Sequence, residues 1–254
     1  MQDLTGKTVL LTGASRGIGA ATARILGAAG ANVVAHYGSH EQGAAEAVAE
    51  LDPGRRLLVQ ADLARPGAAR ELWSAAVAWK GRVDVVVVNA AVMPETPWDA
   101  TDEAWDGAWE NAMRVNVLEP ASLVREAVRH YLEHGGGTLV TLSSWAAQRG
   151  SAIPQLTAYA STKSAVKTLT QTVARNHAAD GILAYVVAPG IVRTRLSEIS
   201  AATRGGIEAV NAGLAMGEMV PADDVGELIA WLATGTCRHL TGATLDVNGA
   251  SYIR

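Results

Sequence analysis

Cysteine is almost absent. The single Cys237 cannot close an internal disulfide or build a thiolate metal site, which fits a reducing compartment. Positive charge is not in excess either: 21 lysines and arginines face 25 aspartates and glutamates, a net −4, so no global field draws nucleic acid. No apolar stretch is long enough to span a bilayer, and Met1–Lys7 does not read as a basic-then-apolar leader. A soluble, cytoplasmic chain is expected, with no nucleic-acid or membrane partner. No Pro/Gly/Ser-rich linker, repeat or charge block interrupts the 254 residues, so one domain over 1–254 is expected. Catalytic signatures are missing as well. His130 and His134 stand four apart without an H-E-x-x-H context, just before Gly135–Gly137, and read as a helix C-terminus; no metal site is expected. Without a G-x-S-x-G elbow the serines are poor acyl-enzyme nucleophiles. Gly6-Lys7-Thr8 precedes the first strand instead of following it, so it is not a nucleoside triphosphate loop.

What is present is a regular alternation. Short β-branched runs at Lys7–Thr12, Asn32–His36, Leu57–Gln60, Val83–Asn89, Gly137–Ser143, Leu183–Val187 and Thr244–Val247 predict seven strands, the Val83–Val88 run buried on both faces. Between them, longer segments at Gly17–Ala29, Glu41–Leu51, Pro66–Trp79, Asp102–Glu133, Thr157–Ala179 and Ala222–Leu232 predict helices. Right-handed crossovers place those helices on both faces of a parallel sheet, a doubly wound α/β domain. The irregular stretch Gly190–Val220 follows the sixth strand. It emerges where such sheets bind ligands, and is expected to be a lid.

Two constellations carry chemistry. The first predicted strand runs into Thr12-Gly13-Ala14-Ser15-Arg16-Gly17-Ile18-Gly19 and then a helical run. Glycines there allow a tight turn, a close approach to a pyrophosphate and amides aimed at the anion; a plain capping turn is the structural alternative. In the second, Tyr159 and Lys163 stand four apart in a helical segment, so both project from one face. A phenol is a poor acid/base at neutral pH, and a neighbouring ammonium brings its pKa toward the working range.

The T-G-x-x-x-G-x-G spacing, with Asp62-Leu63, Asn89-Ala90-Ala91, Asn116 between valines, Ser143-Ser144, the Tyr159…Lys163 pair and Pro189-Gly190 in that order, resembles the compact single-domain short-chain dehydrogenases/reductases, including 3-oxoacyl-carrier-protein reductases. The likeness covers nearly the whole chain. It implies a Rossmann-type, seven-stranded parallel sheet in the order 3-2-1-4-5-6-7. It also implies a catalytic set of Ser144, Tyr159, Lys163 and Asn116, with Ser143 as the alternative to Ser144. Ser144 would hold the carbonyl oxygen, Tyr159 transfer the proton and Lys163 bind the nicotinamide ribose. Asn116, at a distortion in the long helix, would order a water in the proton relay. Expected cofactor contacts are Gly13, Ser15, Arg16, Gly17, Ile18 and Gly19 in the turn, Tyr37 and Ser39 after the second strand, and Asp62 and Leu63 at the adenine. Asn89, Ala90, Ala91, Pro189, Gly190, Ile191 and Thr194 complete them. Ala91 replaces the family's usual glycine, and Gly249-Ala250 its usual closing Gly-Gly.

The resemblance also directs attention to the residues around the adenosine ribose. No carboxylate stands at Tyr37, the position where one would bind a free 2′-hydroxyl, and Arg16 supplies a guanidinium suited to a phosphate, so NADP(H) is expected. The expected function is reversible ketone/secondary-alcohol conversion, with a 3-oxoacyl thioester as first substrate; Arg125, Arg129 and Arg175 are candidate contacts to an acidic carrier. Met93, Trp145 and Gln155 are candidate substrate contacts, with Trp98 beside them; Trp145 reads equally as core, and the other three read more readily as core than as contacts. Lid surface comes from Leu196, Ile199, Leu214, Met216 and Met219. Family likeness further implies a homotetramer through the helices over Asp102–Glu133 and Thr157–Ala179. A non-catalytic NADPH-binding sensor or scaffold, and a lyase or isomerase using the same tyrosine, are the alternatives.

Overall fold

A computed structural model describes residues 2–202 and 204–254. At its centre the four valines of β4 (Val85–Val88) are all buried, as a strand covered on both faces requires. Around it stand β1 (Thr8–Leu11), β2 (Asn32–Tyr37), β3 (Arg56–Gln60), β5 (Gly137–Leu142), β6 (Ile182–Pro189) and β7 (Thr244–Val247). All pair in parallel, in the order β3-β2-β1-β4-β5-β6-β7. That is the order expected from the sequence.

Strand alternation divides the core. Val9, Leu11, Val85 and Val87 face one layer, formed by α1 (Gly17–Ala28), α2 (Glu41–Ala47) and α10 (Ala222–Ala233). Leu10, Val86 and Val88 face the other, formed by α3 (Ala68–Lys80), α5 (Glu119–Glu133) and α7 (Thr157–His177). Among the described residues no helix is long and apolar enough to cross a membrane.

Several predicted elements differ at their edges. The helix expected over Asp102–Glu133 is α4 (Asp102–Met113) and α5 joined by a π-turn at Arg114–Leu118. This places Asn116 at the expected distortion. The helix expected from Glu41 to Leu51 stops at Ala47. The one expected from Pro66 starts at Ala68, because Gly67 takes a left-handed φ of 89° ahead of it. Two short helices, α8 (Arg195–Ala202) and α9 (Gly206–Ala212), occupy the stretch read as irregular, and a further turn of helix, α6 (Ala146–Arg149), follows β5. Elements this short carry too few residues for an apolar period. The 190–220 excursion is pinched at its base, where Arg193 N donates to Val220 O (2.8 Å) and Val220 N to Ile191 O (2.9 Å).

One buried carboxylate ties the fold across the π-turn. Glu119 accepts from Gly67 N (3.0 Å) and Ala69 N (2.9 Å), capping α3 from another helix. Glu119→Ala leaves those amides without their partner and is expected to cost about 2–3 kcal/mol. The check is a urea unfolding midpoint lowered at constant m-value.

Candidate active site

The carboxyl ends of the strands open onto a cleft of about 1060 Å³. One wall is the turn between β1 and α1, and its backbone is held from three sides. Asn89 Nδ2 donates to Thr12 O (2.9 Å) and Gly13 O (3.0 Å). Thr12 Oγ1 accepts from Asn89 N and Ala90 N. Gly13 N donates to His36 Nδ1 (3.0 Å), so the proton of this imidazole sits on Nε2, which reaches Ala61 O at 2.9 Å. Burial holds the His36 pKa below its usual range, in keeping with a neutral brace. The sequence reading passed over His36; its signal was a histidine at the end of a strand otherwise fit only for apolar residues.

Glycine is required here for two separate reasons. Gly13 and Gly17 have φ of 72° and 51°, and a Cβ on Gly19 would come within 1.9 Å of Gly13 O. The turn therefore presents backbone, Ser15 and Arg16 to the cleft, an open cradle that fits a dinucleotide pyrophosphate. Ile18, Asn89–Ala91, Pro189–Ile191 and Thr194 also line it, as expected.

Three residues expected at the cofactor are not on this lining. The Tyr37 phenol is buried and faces Glu41, and burial followed by that carboxylate raises its pKa; Gly38, Ser39 and His40 form the wall in its place. Asp62 Oδ1 accepts from Ala64 N (2.9 Å), which is turn capping, and Leu63 packs in the core.

The opposite wall holds Ser144, Tyr159 and Lys163. The two serines after β5 separate by role. Ser143 Oγ donates to Lys163 O (2.9 Å), tying β5 to α7, whereas Ser144 faces the Tyr159 hydroxyl. Lys163 Nζ donates to Leu142 O (2.8 Å) and stands 5.8 Å from the Tyr159 ring centre. Burial brings the Lys163 ammonium down to about 8. Burial raises the Tyr159 phenol, and Ser144 draws it partly back. In α7 the i, i+4 spacing thus sets a phenol and an ammonium on one face, as read from the sequence.

Asn116 sits behind this wall and does not line the cleft. Nδ2 donates to Val92 O (2.8 Å) and Thr162 Oγ1 (3.0 Å), Oδ1 accepts from Val92 N (2.8 Å), and Thr162 Oγ1 donates to Tyr159 O (2.8 Å). With its amide engaged on both sides, the side chain ties the π-turn to Val92 and to Thr162 of α7.

Of the expected substrate contacts, Met93 and Trp145 line the cleft. Gln155 does not; its carbonyl accepts from Thr96 N and Oγ1. Trp98 is exposed and stacks on Trp105. From the 190–220 excursion, Leu214 reaches the cleft, Met219 is buried and Met216 is exposed. The side chains of Leu196 and Ile199 lie outside the described structure.

A family model described as Enoyl-(Acyl carrier protein) reductase matches residues 13–250. The 3beta-hydroxysteroid dehydrogenase 1 of Eggerthella lenta is 35% identical, covering 97% of this chain and 94% of that protein. The chain belongs to the short-chain dehydrogenase/reductase family. Among its relatives, L-rhamnose 1-dehydrogenase (NAD(P)(+)) of a Sphingomonas species is 33% identical over all of this chain and 99% of its own length. A solved structure described as "Promiscuous Reductase LugOII Catalyzes Keto-reduction at C1 during Lugdunomycin Biosynthesis" superposes with a TM-score of 0.86 at 33% identity, covering 99% of this chain and 100% of that one. As a short-chain dehydrogenase/reductase the protein is an oxidoreductase of alcohols and ketones that works with a nicotinamide dinucleotide.

Proposed function

We propose that this enzyme interconverts a ketone and a secondary alcohol with NADP(H), in one domain over 1–254 whose 190–220 excursion is the substrate lid. The observation that carries the reading is the wall where the Ser144 and Tyr159 hydroxyls face each other above the buried Lys163 ammonium. Two hydroxyls there receive one carbonyl oxygen, as donors to the charge that develops on it. The bound nicotinamide supplies the hydride. Tyr159 gives the oxygen its proton, and the Lys163 ammonium stabilises the phenolate left behind. With its pKa near 8, Lys163 is mostly charged at neutral pH and loses this capacity as the pH rises through that value. In the cofactor's place, Tyr159 and Lys163 line the nicotinamide end, and the turn holds the phosphates.

Preference for NADP(H) rests on Arg16, which lines the cleft beside Ser39 and His40, with no Asp or Glu on that lining among the described residues. Titration with NADPH and NADH, followed by cofactor fluorescence, tests it. NADPH should bind about tenfold or more tighter, the worth of one charge-assisted contact, and Arg16→Ala should bring the two affinities together. Equal affinities in the wild type would transfer the reading to NAD(H). NADPH binding without turnover of any ketone would favour the sensor.

A 3-oxoacyl thioester is one substrate within this reading. Its carrier-docking face is weakened by the structure, since Arg125 and Arg129 both pair with Glu126 (3.1 and 3.6 Å). Assembly as a homotetramer through the helices over 102–133 (α4, the π-turn and α5) and α7, and a cytoplasmic location, belong to the same proposal. Exposed Leu118, at the end of the π-turn, and Leu132 in α5 support the packing.

A further inference from the structure

The described side chains that line the cleft carry charge of one sign: Lys163 and Arg16, Arg149, Arg195 and Arg204, with no Asp or Glu among them. Lys163 serves Tyr159 and Arg16 faces the cofactor end, which leaves three arginines around the substrate. We propose that Arg149 recognises a carboxylate on the substrate whose carbonyl Ser144 and Tyr159 receive. The inference rests on the ketone/alcohol reading above and names its substrate class.

Arg149 is held by aromatic faces. Its guanidinium carbon lies 5.4 Å from the ring centre of Trp145 and 5.4 Å from that of Tyr252. The backbone that carries each ring is anchored: Trp145 N donates to Pro189 O (3.0 Å), and the buried Asn248 Nδ2 donates to Tyr252 O (2.9 Å). Contact with ring faces occupies the faces of a guanidinium and spares its in-plane N–H donors, the ones that fork onto a carboxylate.

Among the described residues no carboxylate takes those donors. Among the described residues Arg149 has no ion pair, and Asp246 of β7 is already held by Arg254 (2.8 Å) and Gln148 (2.8 Å). Arg149 ends α6, five residues after Ser144, and lines the same cleft as Ser144, Trp145 and Met93. A substrate ring that carries both carbonyl and carboxylate would rest on this apolar stretch.

The test compares 4-acetylbenzoate with its neutral amide, 4-acetylbenzamide, binding to cofactor-saturated protein by calorimetry. Saturation keeps the acid out of the phosphate site at Arg16. The acid should bind about tenfold tighter, and this advantage should vanish in Arg149→Gln, return in part in Arg149→Lys and shrink in Tyr252→Leu. Equal binding of acid and amide by the wild type, or an advantage that survives Arg149→Gln, overturns the proposal. Turnover of both ketones is followed separately by nicotinamide absorbance. Acid binding through Arg149 with neither ketone reduced leaves the anion site standing and counts against the ketone reading, whereas reduction of both with no acid preference in binding does the reverse.

Discussion

Tyr159→Phe is expected to lower kcat by about a thousandfold, within the 10²–10⁴ range typical of a positioned acid–base group, while the cofactor binds within about twofold of wild type. The asymmetry follows from the site. Phenylalanine keeps the ring that packs on α7 and the 5.8 Å contact to Lys163 Nζ, and removes only the hydroxyl that faces Ser144. Ser144 then has no partner to share the oxygen, and the Lys163 ammonium has no phenolate to stabilise. Steady-state rates with a ketone that the wild type reduces, alongside cofactor fluorescence titration, separate the two effects. A variant that turns over at the wild-type rate would make another group the acid.

Gly19→Ala strikes the other end of the cleft. The added methyl would stand 1.9 Å from Gly13 O and 2.7 Å from Asn89 Nδ2, and one of those atoms is backbone that the Asn89 amide already holds. The turn must move by more than an ångström, out of the form braced by His36 and Thr12. The expected result is a cofactor affinity weakened by about a hundredfold, since overpacking of this kind costs about 1–3 kcal/mol. Circular dichroism should still report a folded sheet, because β1 and α1 are anchored beyond the turn. Unchanged affinity would mean that the glycine spacing is not what shapes the cradle.

The sheet was legible because its signals are redundant. Each of the seven runs carries β-branched residues, and the alternation of Val9, Leu10 and Leu11 between two core layers repeats in β4. Tyr159 and Lys163 were legible because helical spacing alone puts them on one face. Other features depend on contacts between distant segments, which no local pattern records. His36 takes its meaning from Gly13 and Ala61, 23 and 25 residues away, and Glu119 from amides 50 and 52 residues earlier. Tyr37 fits the expected position in the chain, yet its phenol turns toward Glu41 and leaves Gly38–His40 to form the wall. Asn116 was placed correctly at a break in the long helix, but the engagement of its amide by Val92 and Thr162 is visible only in three dimensions. The clasp of Arg149 between Trp145 and Tyr252 joins residues over a hundred positions apart, and composition gives no hint of it.

The central claim is that hydride passes directly to a carbonyl carbon held at Ser144 and Tyr159. The most direct measurement is reduction of a ketone with NADPH, or NADH if that binds better, deuterated at the transferring position, with the product examined by mass spectrometry and NMR. Deuterium on the carbinol carbon, in one configuration and at one atom per turnover, is the predicted result. Product without deuterium at that carbon, or conversion that continues with no cofactor oxidised, would contradict it and point to lyase or isomerase chemistry at the same tyrosine.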